Sequence, residues 1–324
     1  VKNIINFNGD VIVDALFGIG FKGKLPADIQ QLILAINQHK AQVFSIDIPS
    51  GLCPTTGSVA DNVIKSMIES QAVIAKLTVT FIVFKVGLLT GQAANFVGKL
   101  QLASLGLNKA FIKQITSSVY YQRECDIELL PKRLATSHKG DSGLLLAIGS
   151  GIGMPGAIRL ASEAALRCGA GLLAVCCAEQ NQTMVFSGRP ELMIAPSNAN
   201  DLPDSITFKK AKAFIIGPGL GKDNRAKQLL NLLIKTSADH KKTMIIDADA
   251  LTLLADYYYG VAKGTFVKSA QWVLTPHPKE AARLLNCEVE EIETDRFAAV
   301  RAIANQYGGI CLLKGAGTLV SNGN

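Results

Sequence analysis

The sequence predicts an α/β protein of two domains in series, each a parallel sheet with helices over its faces. Runs of β-branched and aliphatic residues alternate with amphipathic helical stretches almost from end to end. Most of these strand-like runs close on glycine or proline, and 29 glycines accompany a composition that is 48% hydrophobic and 18% charged over 324 residues. Alternating strand and helix patterns imply parallel strands joined by crossover helices. Glycine suits the strand-to-helix turns of such sheets, where backbone must approach a ligand or a neighbouring element. The length fits two domains of roughly 100–200 residues, and the hydrophobic content excludes a disordered chain.

Asp10–Phe17 (DVIVDALF) reads as a strand ended by glycines, and Asp28–Gln38 as a helix with Ile29, Leu32, Ile33 and Ile36 on one face. Gln42–Ile48 is the next strand, closed by Pro49-Ser50-Gly51, and Thr78–Phe84 another. Around Leu105–Pro131 the alternation weakens and charge rises, which separates a domain at 1–115 from one at 126–324. The pattern then resumes with strand Gly143–Ile148, helix Gly156–Cys168 and strands Leu172–Cys177 and Ala213–Ile216. Helix Arg225–Thr236, strand Thr243–Asp247, strand Trp272–Thr275, helices Lys279–Leu285 and Asp295–Tyr307, and strand Ile310–Lys314 follow; Ala316–Asn324 opens a further strand.

A net charge of +7 invites a nucleic-acid partner, but the basic residues are scattered and Lys209, Lys210, Lys212, Lys241 and Lys242 lack interleaved aromatics. A solvated basic surface or an anionic small substrate explains the charge, and no nucleic acid is expected. Seven cysteines without a C-x-x-C pair give neither a disulfide framework nor a zinc site; buried thiols in a reducing, cytoplasmic setting are expected. No apolar run reaches the ~20 residues of a membrane span, and Thr78–Leu89 is broken by Lys85.

In the first half, Gly18-Ile19-Gly20-Phe21-Lys22-Gly23 matches G-x-G-x-x-G between a strand and a helix, with Lys22 and Lys24 as counter-charges. Such a loop either cradles a phosphate or makes a tight turn. Asp47, at a strand end, faces a ligand crevice or serves the Pro49-Ser50-Gly51 turn. Asp14 sits inside an apolar strand, where a charge is costly unless paired or bound to a cation.

In the second half, Ser137-His138-Lys139-Gly140-Asp141 precedes a strand that ends in Gly149-Ser150-Gly151-Ile152-Gly153-Met154-Pro155-Gly156-Ala157. Gly217-Pro218-Gly219-Leu220-Gly221, Asp247-Ala248-Asp249, Thr275-Pro276-His277-Pro278 and Lys314-Gly315-Ala316-Gly317-Thr318 end further strands. That edge is where parallel sheets build ligand sites. Singly, each has a plainer reading: a rigid turn, a histidine bonded to backbone, or a glycine loop with a lysine. Asp247 caps the following helix while Asp249 faces ligand, or the reverse.

Together these stretches resemble two known families. Val13–Gly20, Ile46–Leu52 and Phe84–Gly91 are similar to the later part of the NAD(P)HX epimerase domain, over roughly residues 10–107. The second set resembles the NAD(P)H-hydrate dehydratase family over nearly all of 131–320. The resemblance implies a partial Rossmann-like epimerase domain followed by an incomplete ribokinase-like α/β domain.

For the first half it implies substrate contacts at Gly18, Ile19, Gly20, Phe21, Lys22, Gly23 and Lys24, with Asp47 at the reacting centre. It also implies potassium at Asp14 and Ser50. For the second it implies that Ala157, Gly219 and His277 contact the hydrated dinucleotide. Lys314, Gly315, Ala316, Gly317 and Thr318 are then expected to bind adenine nucleotide, ADP rather than ATP, with Mg²⁺. The expected activity is repair of NADHX and NADPHX by epimerisation and nucleotide-dependent dehydration, in a homo-oligomer.

The sequence opens on Val1, not methionine, and the epimerase family's N-N-G-G-D-G loop and the dehydratase family's G-M-G-D aspartate fall outside the matched stretches. The chain is therefore read as a piece of a longer protein, and full activity is not expected of it. A ribokinase-like small-molecule kinase shares the second fold but does not explain the first half. A Rossmann dehydrogenase does not explain Ile46–Leu52 or the second domain, and a non-catalytic dinucleotide-binding fragment is the third alternative.

Overall fold

The computed structural model describes all residues except 21–23, 60–70, 108–113, 115–116, 124–131, 241 and 263, and only the backbone of 2, 3 and 238–240. The chain divides into two compact units: Val1–Cys125 with Glu288–Ala298 and Gly315–Leu319, and Asp126–Cys287 with Ala299–Lys314 and Val320–Asn324.

The first unit holds a four-stranded sheet of β1 (Val11–Asp14), β2 (Gln42–Ile46), β3 (Leu77–Phe81) and β4 (Lys99–Ala103), in that spatial order and all parallel. The register pairs Asp14 with Ser45 and Ile46 with Val79, so the carboxyl ends of β1, β2 and β3 share one edge. Helix Ala27–Gln38 buries Ile33 and Ile36 against Ile12 and Val43, with Ile29 and Leu32 packed beside them, as its apolar spacing predicts. Burying one such side chain contributes roughly 1.5–3 kcal/mol. This helix starts at Ala27 with Pro26 as its N-cap. Proline keeps the preceding residue out of the helical region, so Gly18 and Gly20 do not form the helix N-terminus as G-x-G-x-x-G implied.

The second unit is built on eight strands in the order β12-β11-β10-β9-β8-β5-β6-β7. These are β5 (Leu144–Ile148), β6 (Leu172–Cys176), β7 (Leu192–Ile194), β8 (Ala211–Ile216), β9 (Thr243–Ile246), β10 (Trp272–Leu274), β11 (Ile310–Leu313) and β12 (Leu319–Ser321). The pairings from β7 through β11 are parallel. Central β5 has its Leu146, Ala147 and Ile148 fully buried, which is why it reads as a continuous apolar run rather than an alternating one. From β5 the chain winds outward to β6 and β7, then returns to β8 on the other side. That reversal opens a crevice between the loops after β5 and β8. The exposed Cys168 departs from the expectation of buried thiols, whereas Cys176, Cys177 and Cys311 are buried.

Candidate functional site

In the first unit the sequence-predicted carboxylates lie where β1 and β2 end. Asp14 is 1% exposed, and its carboxylate accepts four hydrogen bonds. Ser45 Oγ and Ser50 N–H reach Oδ2 at 2.8 and 2.9 Å, while Ser50 Oγ and Leu16 N–H reach Oδ1 at 2.6 and 3.4 Å. Ser50 Oγ in turn accepts Phe17 N–H at 3.0 Å. This network satisfies the buried carboxylate without an ion, so the cost of burial alone does not call for a cation. It also brings the two expected potassium ligands together.

Asp47 adopts φ +68°, a left-handed conformation that aspartate tolerates better than most residues. Its Oδ1 accepts Lys85 Nζ at 2.5 Å, Thr80 Oγ1 at 3.1 Å and Phe81 N–H at 3.1 Å. Lys85 Nζ also donates to Phe81 O at 2.8 Å. Burial works to raise the Asp47 pKa, but hydrogen bonds from Lys85, Phe81 and Thr80 and the lysine charge outweigh it. The carboxyl is held below its usual value, and Asp47 stands as a carboxylate at neutral pH. Lys85 was not among the expected site residues, although it lies in the Phe84–Gly91 stretch that carries the resemblance; by itself it reads as a break in an apolar run.

Gly51, at φ +95°, is required by packing, because a Cβ there would lie 2.0 Å from Gln71 O. Gly18 and Gly20 are different: a Cβ at either meets nothing within 4 Å, and Ile19 is exposed. Lys24 is exposed too, and Phe21, Lys22 and Gly23 lie outside the described residues.

In the second unit the loops after β5 and β8 interlock across the crevice. Ser150 N–H donates to Pro218 O at 3.1 Å and Gly151 N–H to Gly219 O at 2.6 Å. Gly219 has φ +60°, and a Cβ on it would lie 3.0 Å from Met154 O and 3.6 Å from Ala157 Cβ. Ala157 and Gly219, far apart in sequence, are therefore near neighbours. Asn181, 5% exposed and not foreseen, braces the same loop. Its amide donates to Ser150 Oγ at 2.9 Å and Gly151 O at 2.7 Å.

The two aspartates after β9 divide their work. Asp249 Oδ2 accepts Gly221 N–H at 3.0 Å. Asp247 Oδ1 accepts Thr275 Oγ1 and Lys314 Nζ, both at 2.8 Å. Lys314 Nζ also lies 3.8 Å from Glu280 Oε2. His277 caps helix Pro278–Leu285: its Nδ1 accepts the N–H groups of Lys279 and Glu280, and Glu280 completes a capping box. With Nδ1 an acceptor, the neutral ring carries its proton on Nε2, 3.3 Å from Glu280 Oε1. The plainer reading of this histidine, a backbone-bonded turn residue, holds for Nδ1. Beyond Lys314, in the first unit's share of the glycine run, Gly315 and Gly317 take φ +144° and +63°. There Gly91 N–H donates to Ala316 O at 3.0 Å, and Thr318 Oγ1 to Gly315 O at 3.2 Å. Among the described residues no group of three or more His, Cys, Asp or Glu is placed to hold a metal ion, and no helix is long and apolar enough to cross a membrane.

Residues 145–324 match the family model described as NAD(P)H-hydrate dehydratase, and residues 1–87 match that of the YjeF-related protein N-terminus. The bifunctional NAD(P)H-hydrate repair enzyme Nnr of Vibrio cholerae serotype O1 is 42% identical over 97% of this chain and 59% of its own length. The enzyme of the same name from Escherichia coli K12 is 41% identical over 96% of this chain and 56% of its own. The chain thus spans somewhat more than half the length of these relatives. Among solved structures, the ADP/ATP-dependent NAD(P)H-hydrate dehydratase of Bacillus subtilis co-crystallised with ATP/Mg²⁺ superposes with TM-score 0.51 at 29% identity. That match covers 60% of this chain and 65% of the other. A ribokinase-like superfamily protein of Enterococcus faecalis gives 0.53 at 26% identity, covering 63% and 71%. Most of this chain, behind a segment that matches the YjeF-related N-terminus, belongs to the NAD(P)H-hydrate dehydratase family.

Proposed function

We propose that the protein to which this chain belongs repairs hydrated NADH and NADPH. The first domain, residues 1–115, epimerises the R and S hydrates, and the second, residues 126–324, dehydrates the S form at the expense of ADP. The observation that carries the dehydratase reading is the crevice at the strand reversal, where Ala157 meets Gly219 beside the interlocked glycine loops.

Hydroxide is a poor leaving group, and phosphorylating the ring hydroxyl replaces it with a good one. Catalysis then rests on positioning and on offsetting phosphate charge. Gly219 and Ala157 leave room for the hydrated ring, and His277 presents its Nε2 side. Lys314–Thr318 supplies a lysine and glycine backbone to the nucleotide phosphates, and Asp247 and Glu280 hold the lysine head in place. Mg²⁺, when bound, neutralises charge on the nucleotide. It usually sits on phosphates with one or two carboxylates, so it needs no all-protein cage.

In the first domain Asp47 is the acid–base group, kept deprotonated at neutral pH by Lys85. Asp14 and Ser50 hold the potassium ion, whose oxygen-donor chemistry their adjacent side chains suit. The test is turnover by the complete protein of separated R and S hydrates, with and without ADP. ADP-dependent return of NADH absorbance from the S hydrate is expected, and failure of either hydrate to react overturns the reading. Asp47→Asn should slow epimerisation by ~10²–10⁴, the usual worth of a general base, while leaving dehydration of the S form intact. Epimerisation at the parental rate would remove Asp47 from the chemistry.

A further inference from the structure

A cavity of about 310 Å³ opens beside the glycine loop of the second unit, lined in part by Gly151, Ile152, Ala178, Glu179, Asp223 and Arg225. None of the residues assigned to the ring, the nucleotide or the cation lines it. It has the size of a small-molecule subsite.

The topology around it is specific. Strand β5, the glycine loop, helix Gly156–Arg167 and the adjacent parallel strand β6 form one βαβ unit, with Ile148 opposite Cys176. Ala178 N–H donates to Ser150 O at 2.9 Å, so the chain leaving β6 is fixed against the loop leaving β5. In a βαβ unit that binds a dinucleotide, glycine backbone meets the phosphates, and a carboxylate at the end of the second strand hydrogen-bonds the ribose hydroxyls. Glu179, three residues past the end of β6, occupies that position. It is exposed to the cavity, and its Oε1 is oriented by Ser197 Oγ at 3.0 Å.

Charge decides which ribose the cavity suits. Glu179 and Asp223 are both exposed carboxylates. Arg225 also lines the cavity, but its guanidinium is turned into the protein. Nε donates to Ser197 O at 2.6 Å, Nη2 lies 3.7 Å from Cys176 Sγ, and Nη1 is buried. A 2′-phosphate would bring roughly −1.5 to −2 charges toward two carboxylates with no presented cation. A 2′-hydroxyl would instead donate to them.

We infer that this cavity is the adenosine subsite of the dehydratase centre and that Glu179 selects the ribose 2′-hydroxyl, so that the hydrate of NADH is preferred to that of NADPH. The inference rests on the dehydratase reading of the second domain and adds its specificity. In the complete protein, kcat/KM for the S hydrates of NADH and NADPH is compared in wild type, Glu179→Gln and Glu179→Lys. Wild type should prefer NADHX by about tenfold or more, the scale of one hydrogen bond to a charged group. Glu179→Gln keeps an acceptor for Ser197 and should abolish most of the preference through the KM for NADHX, with kcat unchanged. Glu179→Lys should reverse it, and if that variant fails to fold the Gln variant decides. Turnover without a wild-type preference, or a preference that Glu179→Gln leaves intact, overturns this inference alone. No turnover of either hydrate by wild type overturns the dehydratase reading with it.

Discussion

Replacing Asp14 separates two roles that its burial otherwise merges. Asp14→Ala removes the acceptor of four hydrogen bonds in a site that is 1% exposed. The two serine hydroxyls can rotate toward other acceptors, but Ser50 N–H cannot, and a stranded buried amide costs about 1–3 kcal/mol. With the charge-assisted hydroxyl bonds also lost, the total is about 4 kcal/mol, a large fraction of ordinary domain stability. Asp14→Asn behaves differently because its amide can orient. The carbonyl oxygen takes the Oδ2 place, keeping Ser45 Oγ and Ser50 N–H. The NH₂ then faces Ser50 Oγ, which already accepts Phe17 N–H and can accept again. The long 3.4 Å bond from Leu16 N–H is given up, and the 2.6 Å bond from Ser50 Oγ is exchanged for a neutral one that leaves the hydroxyl proton without its acceptor. A loss of about 2 kcal/mol, still smaller than for the Ala variant, is expected. Urea unfolding of the complete protein, followed by hydrogen exchange at Ser50 and Leu16, measures both. The same titrations in potassium and in tetramethylammonium chloride read the cation: wild type should be stabilised by potassium, and neither variant should. Equal destabilisation by Ala and Asn would refute the hydrogen-bond reasoning, and a potassium effect that survives in Asp14→Asn would refute the cation assignment.

Gly217→Ala places a Cβ 1.7 Å from Asp247 O at φ +126°. Because the contact is with backbone, we expect a loss of about 3 kcal/mol or more, seen as a lowered Tm; a parental Tm would contradict the geometry. Lys314→Met should raise the KM for ADP at least tenfold with a smaller change in kcat, by analogy with the loss of one charge-assisted contact; an unchanged KM would remove Lys314 from the phosphate site. Hydrogen bonds from Arg189 and Arg159 hold Glu163 at about 2, down from 4.5. Its contribution is therefore complete above pH 4.5 and is lost as pH falls through about 2. Glu163→Gln should flatten the acid limb of the stability curve in that window, and an unaltered limb would show that the arginines do not act on it.

The sequence was most readable where burial and periodicity agree. The central strands β5, β6, β8 and β9 are apolar runs, and the loops after β5, β8 and β9 carried three of the expected dehydratase motifs, with two others following β10 and β11. β4 escaped because, as the sheet's outer strand, Lys99–Ala103 is largely exposed and shows no clean alternation. β7 has only three residues, and helix Asn224–His240 continues one polar turn past the predicted Thr236, where apolar spacing gives no signal. The site divides similarly. Asp14, Asp47, Gly219 and Lys314 stand out because a charge or glycine at a strand end demands a reason. Lys85 and Asn181 do not, since their significance lies in partners 38 and 30 or more residues away. No local pattern records such pairings.

The clasp on the glycine loop after β5 bears on the energetics of recognition. Asn181 grips Ser150 and Gly151 from one side while the carbonyls of Pro218 and Gly219 hold the same two amides from the other. The backbone that a ligand must meet is thus immobilised during folding, and little further conformational entropy is surrendered on association. Amide exchange at these two positions should already be slow in the empty protein, and occupancy should change it little. A cleft prepared in this way discriminates by shape and charge rather than by reorganising around whatever enters.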